Sequence, residues 1–149
     1  MRITKQGFYH AVLSGLLTGL LLAALLKFVE QTTHLKVYTL LLNVDYIPYI
    51  NKFVFPEFIE VIFHLIVSII LACCLYLLIV YRQMLSRKKV IVLCTLFCFF
   101  IGAALFPTTA LSNRTPPFSS VPSFLYWMIG HAIYGYMLGV LIAKNSAKK

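Results

Sequence analysis

Two apolar stretches of the sequence carry histidines at positions that a membrane-spanning helix would bury. Glu60, His64 and Ser68 recur every four residues, so they share one face of a helix. On a later stretch, His131 and Tyr134 are three residues apart and also share a face. Ionisable groups inside a membrane are energetically costly, which makes these residues the first candidates for function.

The candidate cluster of Glu60, His64, His131 and Tyr134 is suited to proton chemistry. Histidine titrates near neutral pH, and burial lowers its pKa whereas a neighbouring carboxylate raises it. A Glu–His pair that faces an outer vestibule can sense external pH or pass a proton. The same side chains can instead hydrogen-bond between helices and hold the bundle together, and this alternative stays open. A divalent metal would need a preformed pocket, so we assign no metal site.

The elements that position this cluster are predicted from composition. Apolar residues make up 61% of the 149 residues and charged residues 11%, whereas soluble domains average about 45–50% and about 25%. This excludes a soluble enzyme, a disordered chain and a coiled coil. Four runs, at 7–28, 58–81, 90–106 and 124–143, are long enough to cross a hydrocarbon core of about 30 Å. We therefore expect one domain over 1–149, an all-α integral membrane protein with four transmembrane helices in a bundle.

The first run is predicted to be a retained helix. Its apolar part is about 20 residues, longer than the 7–15 of a signal peptide, and no A-x-A-like cleavage site follows it.

The distribution of charge predicts the orientation. The side with both termini and the 82–89 loop has nine basic residues and no acidic one, and the other side has four basic residues with all four acidic ones. The positive-inside rule then places both termini in the cytoplasm. The nine are Arg2, Lys5, Arg82, Arg87, Lys88, Lys89, Lys144, Lys148 and Lys149; the four are Lys27, Lys36, Lys52 and Arg114. Because these residues flank apolar runs instead of forming a stripe, we expect membrane lipid as a partner and no nucleic acid.

This topology has consequences for depth. The short 82–89 loop makes the second and third spans an antiparallel hairpin, and loops 29–57 and 107–123 lie outside. His64 is seven residues after Glu57 and His131 nine after Pro122, so both lie roughly 10–14 Å below the outer surface. The cluster is therefore expected to meet in the outer half of the bilayer. Within loop 29–57, the apolar segment 35–43 is too short to span and is interpreted as interfacial or re-entrant.

Small residues mark helix faces that can approach closely. One row has strict four-residue spacing on the first span, and a second row lies on the fourth span. They are Ala11, Gly15, Gly19 and Ala23, and then Gly135, Gly139 and Ala143. We expect the first and fourth spans to pack on each other through these rows, with a homodimer face as the alternative. The four cysteines all lie in spans and are interpreted as small apolar residues.

Several short motifs resemble those of a known family. The run 64–72 on the second span, Phe106-Pro107, the run 115–118 (Thr-Pro-Pro-Phe) and Gly130-His131 are similar to the YagU-like family of small bacterial inner-membrane proteins. The resemblance covers about two-thirds of the chain. It implies a multi-pass protein of the bacterial cytoplasmic membrane with a link to acid resistance. It carries over no enzyme activity and no cofactor.

No catalytic motif is recognisable in the sequence: it has no His-Glu-x-x-His, no Gly-x-Ser-x-Gly and no Walker loop. We therefore expect a non-enzymatic small membrane protein without a cofactor, involved in pH or acid-stress response through the Glu/His cluster. Two alternatives are an accessory or assembly subunit of a larger membrane complex, which needs a membrane-protein partner, and a small transporter or channel built as a homo-oligomer.

Overall fold

The computed structural model of the chain describes residues 3–44 and 47–146. Within these ranges the regular structure is helical: α1 (Lys5–Thr33), α2 (Val37–Leu42), α3 (Glu57–Tyr81), α4 (Arg87–Leu105) and α5 (Val121–Ser146), with 3-10 segments at Ile50–Lys52 and Phe106–Leu111. Of the charged residues used to predict orientation, Arg2, Asp45, Lys148 and Lys149 lie outside the described residues.

Four of the helices have the length and composition of membrane spans. They are α1, α3, α5, and α4 together with the 3-10 segment that continues it. The prediction of an all-α membrane fold with four long apolar helices is thereby confirmed, whereas the cytoplasmic placement of the termini stays a prediction. α1 and α4 finish, and α3 and α5 begin, at one end of the bundle, which we call the loop end.

The helices associate as two pairs. α1 packs along α3, α4 packs along α5, and α1 also contacts α5. α3 and α4 are joined by a short connection but make almost no contact with each other along their described lengths. The predicted hairpin of the second and third spans is therefore wrong as a packed pair. Its two helices stand apart because each has a closer neighbour.

The glycines of α1 decide the first pair. A Cβ atom on Gly15 would lie 2.8 Å from the Cβ of Ala72 and the Cα of Ile69, so only glycine allows this approach. One turn further, Gly19 faces Ser68 at a similar separation. At Gly15 and Gly19 the row of small residues on α1 thus meets small residues on α3. The first and fourth spans contact each other as we expected from the sequence, but these two glycines do not form that contact. Ala11 and Ala23, in the same row, are buried.

The glycines of α5 decide the second pair. A Cβ on Gly135 would lie 2.7 Å from the backbone oxygen of Cys94, and one on Gly139 would lie 2.8 Å from the Cα of Ile91. Gly135 and Gly139 therefore face α4, whereas Gly130 on the same helix faces Leu22 and Leu26 of α1. Cys94 and Cys98 are free thiols, fully buried in this contact, and act as the small apolar residues that we predicted.

Helix α2 fills the loop end of the bundle. Val37, Leu40 and Leu42 are buried, and the helix contacts α1, α3 and α5. Glu30 fixes its position by accepting hydrogen bonds from the backbone N–H and the hydroxyl of Thr39, at 2.8 and 2.7 Å. The segment is thus packed on the bundle, and its interfacial or re-entrant placement in the membrane stays a prediction.

Candidate functional site

A cavity of about 260 Å³, the membrane cavity, lies where α3 and α4 stand apart. α1, α2 and α5 also contribute to its walls. All four residues of the predicted cluster line it: Glu60, His64, His131 and Tyr134. Residues from two distant parts of the sequence are thus brought to one site by the pairing of α1 with both α3 and α5.

On the α3 wall, the polar side chains are held by glycine carbonyls of α1. His64 Nε2 lies 3.1 Å from the carbonyl oxygen of Gly19, and the Ser68 hydroxyl donates to that of Gly15 at 2.7 Å. These oxygens are reachable because the two glycines bring the backbones of α1 and α3 close together.

Tyr134 extends this network to α5. Its hydroxyl lies 2.9 Å from that of Ser68. Because Ser68 gives its only proton to Gly15, the tyrosine is the donor and Ser68 the acceptor between them. The chain of hydrogen bonds from α5 through α3 to α1 therefore leaves no hydroxyl proton over for another partner.

His131 is fixed on the opposite wall. Its Nδ1 lies 3.0 Å from the carbonyl oxygen of Trp127, and the two rings lie 4.3 Å apart between centroids. Trp127 in turn donates its indole N–H to the carbonyl of Gly102 on α4, at 2.8 Å. A Cβ on Gly102 would lie 2.7 Å from the His131 ring, so this glycine makes room for the imidazole.

These contacts define the tautomers of both histidines. A carbonyl oxygen only accepts hydrogen bonds, so the nitrogen facing it carries the proton. Neutral His64 is therefore protonated on Nε2 and has its lone pair on Nδ1, while neutral His131 is protonated on Nδ1 and has its lone pair on Nε2. In the neutral state each imidazole has one ring nitrogen without a hydrogen-bond partner among the described residues, and this nitrogen is an acceptor.

Glu60 lines the same cavity, but its carboxylate is bound by a different residue. Arg114 donates to both of its oxygens, at 2.8 and 3.1 Å. Glu60 is 4% exposed. The expected Glu60–His64 pair is therefore wrong: the i, i+4 spacing puts both residues on one face of α3, but a buried carboxylate binds most strongly to a bidentate guanidinium.

Sequence reasoning used Arg114 only for the charge count and missed this role. The available signal was a buried-face carboxylate on α3, which requires a cation, and a single arginine in loop 107–123. Loop 107–123 is held by hydrogen bonds from side chains to its own backbone. The buried Thr115 hydroxyl, for example, donates to the carbonyl oxygen of Thr109 at 3.0 Å. The folded loop brings Arg114 within hydrogen-bonding distance of Glu60.

A second, charged cavity of about 350 Å³, the loop-end pocket, adjoins the membrane cavity. It is lined by Lys27, Glu30, Tyr38, Glu57, Glu60 and Arg114, among others. Glu60 and Leu42 line both cavities. The Glu60–Arg114 ion pair therefore lies between the loop-end pocket and the two histidines.

Glu57 organises the loop-end pocket. It accepts from Lys27 Nζ at 2.6 Å and from the Tyr38 hydroxyl at 2.8 Å. Burial, the hydrogen bond to Glu57 and the nearby negative charges raise the pKa of the Tyr38 phenol well above its usual range. Tyr38 therefore stays protonated and keeps donating to Glu57 throughout the physiological pH range.

The Lys27–Glu57 pair is expected to contribute little to stability. Both side chains are about half exposed, at 46% and 56%, so water and salt screen the attraction. We expect Lys27→Met to change the free energy of unfolding in detergent by less than about 1 kcal/mol. Thermal unfolding at low and high salt measures this. A loss of several kcal/mol that is independent of salt would contradict the assignment.

Among the described residues, no three His, Cys, Asp or Glu side chains converge as metal ligands would. Comparison of the chain with protein-family models, with curated proteins and with solved structures finds no match. The resemblance to the YagU-like family therefore stays a prediction, and the function has to be inferred from the geometry of the two cavities.

Proposed function

We propose that the chain is a non-enzymatic membrane protein that responds to pH through His64 and His131, in a role connected with acid stress. The observation that carries this proposal is the placement of two imidazoles in one membrane cavity, each with one unused lone pair. Such a site changes its properties when it takes up protons and needs no further chemistry.

Protonation would convert both acceptors into donors and place positive charge in the cavity. Charge interacts strongly there because the surroundings are poorly polarisable. The ionisable groups facing the histidines are Tyr134 from α5, Cys98 from α4 and Glu60 with its partner Arg114 at the loop end; α1 offers only carbonyls and hydroxyls. Among the described residues, none of these groups supplies a free negative charge, since the Glu60 carboxylate is already paired with Arg114.

Uptake of a proton therefore favours any rearrangement that compensates the new charge. The nearest one is a turn of Glu60 from Arg114 toward His64, which would join the membrane cavity to the loop-end pocket. With the orientation predicted from the charge asymmetry, the loop end faces outward and external acid reaches the histidines through this pocket.

Fluorescence of Trp127 tests the proposal. It is the only tryptophan of the chain and its ring lies against His131. We expect its emission to fall, in a single reversible step, as the pH of protein in lipid nanodiscs is lowered from about 8 through the range in which histidine titrates. The His131→Gln variant keeps a hydrogen-bonding side chain but should lose this step.

Two further histidines provide matched controls. His10 lies on α1 at the end of the bundle remote from the loop end, and His34 is exposed beyond the last turn of α1. Changing either to glutamine should leave the titration as in the wild type. A step that persists in His131→Gln, or is absent in the wild type, would refute pH sensing at this site.

In cells that produce the protein, His64→Gln and His131→Gln should each lower survival in acid, and unchanged survival would refute the acid-stress role.

The alternatives of an accessory subunit and of an oligomeric transporter gain no specific support. The rows of small residues that suggested a partner face are buried inside the bundle, against α3 and α4.

A further inference from the structure

The membrane cavity opens sideways, between α3 and α4. Ile66 and Val67 line it and are 49% and 60% exposed, so they form its rim. Both lie nine or ten residues from the start of α3, roughly 15 Å along the helix axis. At that depth the rim faces the hydrocarbon part of a bilayer, so the surrounding acyl chains have direct access to the cavity.

The inner walls suit the end of an acyl chain. Apolar side chains from four elements surround the cavity; they include Leu22, Leu41, Phe63, Leu71, Ile101 and Leu105. Its volume of about 260 Å³ is close to the lower end of the roughly 300–1,000 Å³ of small-molecule sites. It therefore accommodates one chain end, with the rest of the molecule in the bilayer. A phosphate headgroup would need a cation, and Arg114 is already bound to Glu60.

Around its two histidines, the membrane cavity accepts hydrogen bonds more readily than it donates them. The N–H groups of neutral His64 and His131 are used by carbonyls of Gly19 and Trp127. The Ser68 and Tyr134 protons are used within the network described above. Of these four side chains, what remains is the lone pair of each imidazole, which can bind a ligand O–H but not an ether or ester oxygen.

We propose that the membrane cavity binds a single-chain, lipid-like molecule whose polar end is a hydroxyl donor, and that this molecule enters sideways between α3 and α4. The hydroxyl donates to His64 Nδ1 or His131 Nε2, and the chain lies along the apolar walls. The inference rests on the proposed function in one respect, since it uses the same neutral histidines. It supplies the ligand class that a change in their protonation would release.

Quenching of Trp127 fluorescence measures occupancy, because Trp127 lines the cavity and is the only tryptophan. The probes are oleyl alcohol brominated across its double bond and the methyl ether of the same compound, added to protein in phosphatidylcholine nanodiscs at about pH 8. Bromine quenches indole at short range. We expect saturable quenching by the alcohol, with about tenfold weaker binding of the ether, as for the loss of one hydrogen bond in an apolar site.

Variants of the cavity separate polar recognition from packing. His64→Leu removes one acceptor and should reduce the preference for the alcohol, whereas His64→Gln keeps an acceptor and should retain most of it. Leu71→Ala enlarges the apolar wall and should weaken both probes alike, leaving their ratio unchanged. His64→Gln and Leu71→Ala both keep Trp127, so their binding of the two probes can still be measured. The test therefore stays conclusive even if His64→Leu fails to fold.

The outcomes for the two proposals are distinguishable. Equal quenching by both probes, or quenching that rises linearly without saturation, means partitioning into the bilayer and overturns the ligand inference. Discrimination between the probes in a protein whose Trp127 emission does not titrate supports the ligand site and overturns the proposed pH response. Titration without discrimination overturns the ligand inference alone.

Discussion

Replacing Gly135 with alanine is expected to destabilise the bundle by about 2 kcal/mol. The added methyl group would lie 2.7 Å from the backbone oxygen of Cys94 and 2.8 Å from the Cα of Thr95. Backbone atoms cannot move aside independently, so α4 as a whole has to shift away from α5. Such overpacking costs about 1–3 kcal/mol. Alanine has a higher helix propensity than glycine, worth about 1 kcal/mol, but we expect the clash with backbone atoms to outweigh this gain.

A control for this prediction lies on the same helix. The three atoms nearest to a methyl group on Gly130 would all belong to the side chains of Leu22 and Leu26, the first two of them at 3.1 Å. Side-chain atoms can shift by a few tenths of an ångström more easily than backbone, so Gly130→Ala should cost clearly less than Gly135→Ala. Unfolding in detergent, followed by circular dichroism, compares the two variants with the wild type. Equal stability of Gly135→Ala and Gly130→Ala would contradict the assignment of α4 as the neighbour of the Gly135 row.

The second large effect is expected at the ion pair between the two cavities. Arg114→Gln should destabilise the protein by about 3 kcal/mol, because it leaves the buried Glu60 carboxylate without its cation. Glu60→Gln should cost only about 1 kcal/mol, since Arg114 has 45% of its side chain exposed and can be hydrated. Removing Arg114, the more exposed partner, is thus expected to cost more stability than removing the buried Glu60.

A double-mutant cycle in detergent near pH 7.5 tests this asymmetry. The double variant Glu60→Gln, Arg114→Gln should recover much of the stability lost in Arg114→Gln, because no charge remains buried. A larger loss for Glu60→Gln than for Arg114→Gln would rule out this account of the pair.

The spans were predictable because the bilayer imposes them. Runs of apolar residues have to be helical in lipid, so composition alone finds four helices. The helices extend beyond the predicted bounds, for example to Thr33 at the end of α1, because a helix continues past the hydrocarbon wherever its backbone can still be paired.

The pairing of the helices was only partly predictable. A row of small residues indicates close approach and does not name the neighbour. The partners on α3 and α4 are themselves small, Ser68 and Ala72 in one case and Cys94 and Cys98 in the other. Because the rows of α1 and α5 are small as well, residue size alone does not distinguish α1–α3 and α4–α5 from a pairing of α1 with α5 through these rows.

The candidate site shows a similar limit. Spacing within one helix identified Glu60, His64 and the His131–Tyr134 pair, and the structure brings all four to one cavity. The partner of Glu60 comes from a loop 54 residues away in sequence. Such a contact depends on how the loop folds back, and helical periodicity contains no information about that.

The ¹⁵N NMR spectrum of the histidine rings reports directly whether His64 and His131 take up protons as proposed. Protein labelled with ¹⁵N-histidine in lipid bilayers, assigned with His64→Gln and His131→Gln, reports tautomer and charge for each imidazole. We expect two neutral rings at neutral pH, with the proton on Nε2 in His64 and on Nδ1 in His131, and protonation of both lone-pair nitrogens in acid. A shared tautomer, a charged ring at neutral pH or spectra unchanged by acid would contradict this expectation.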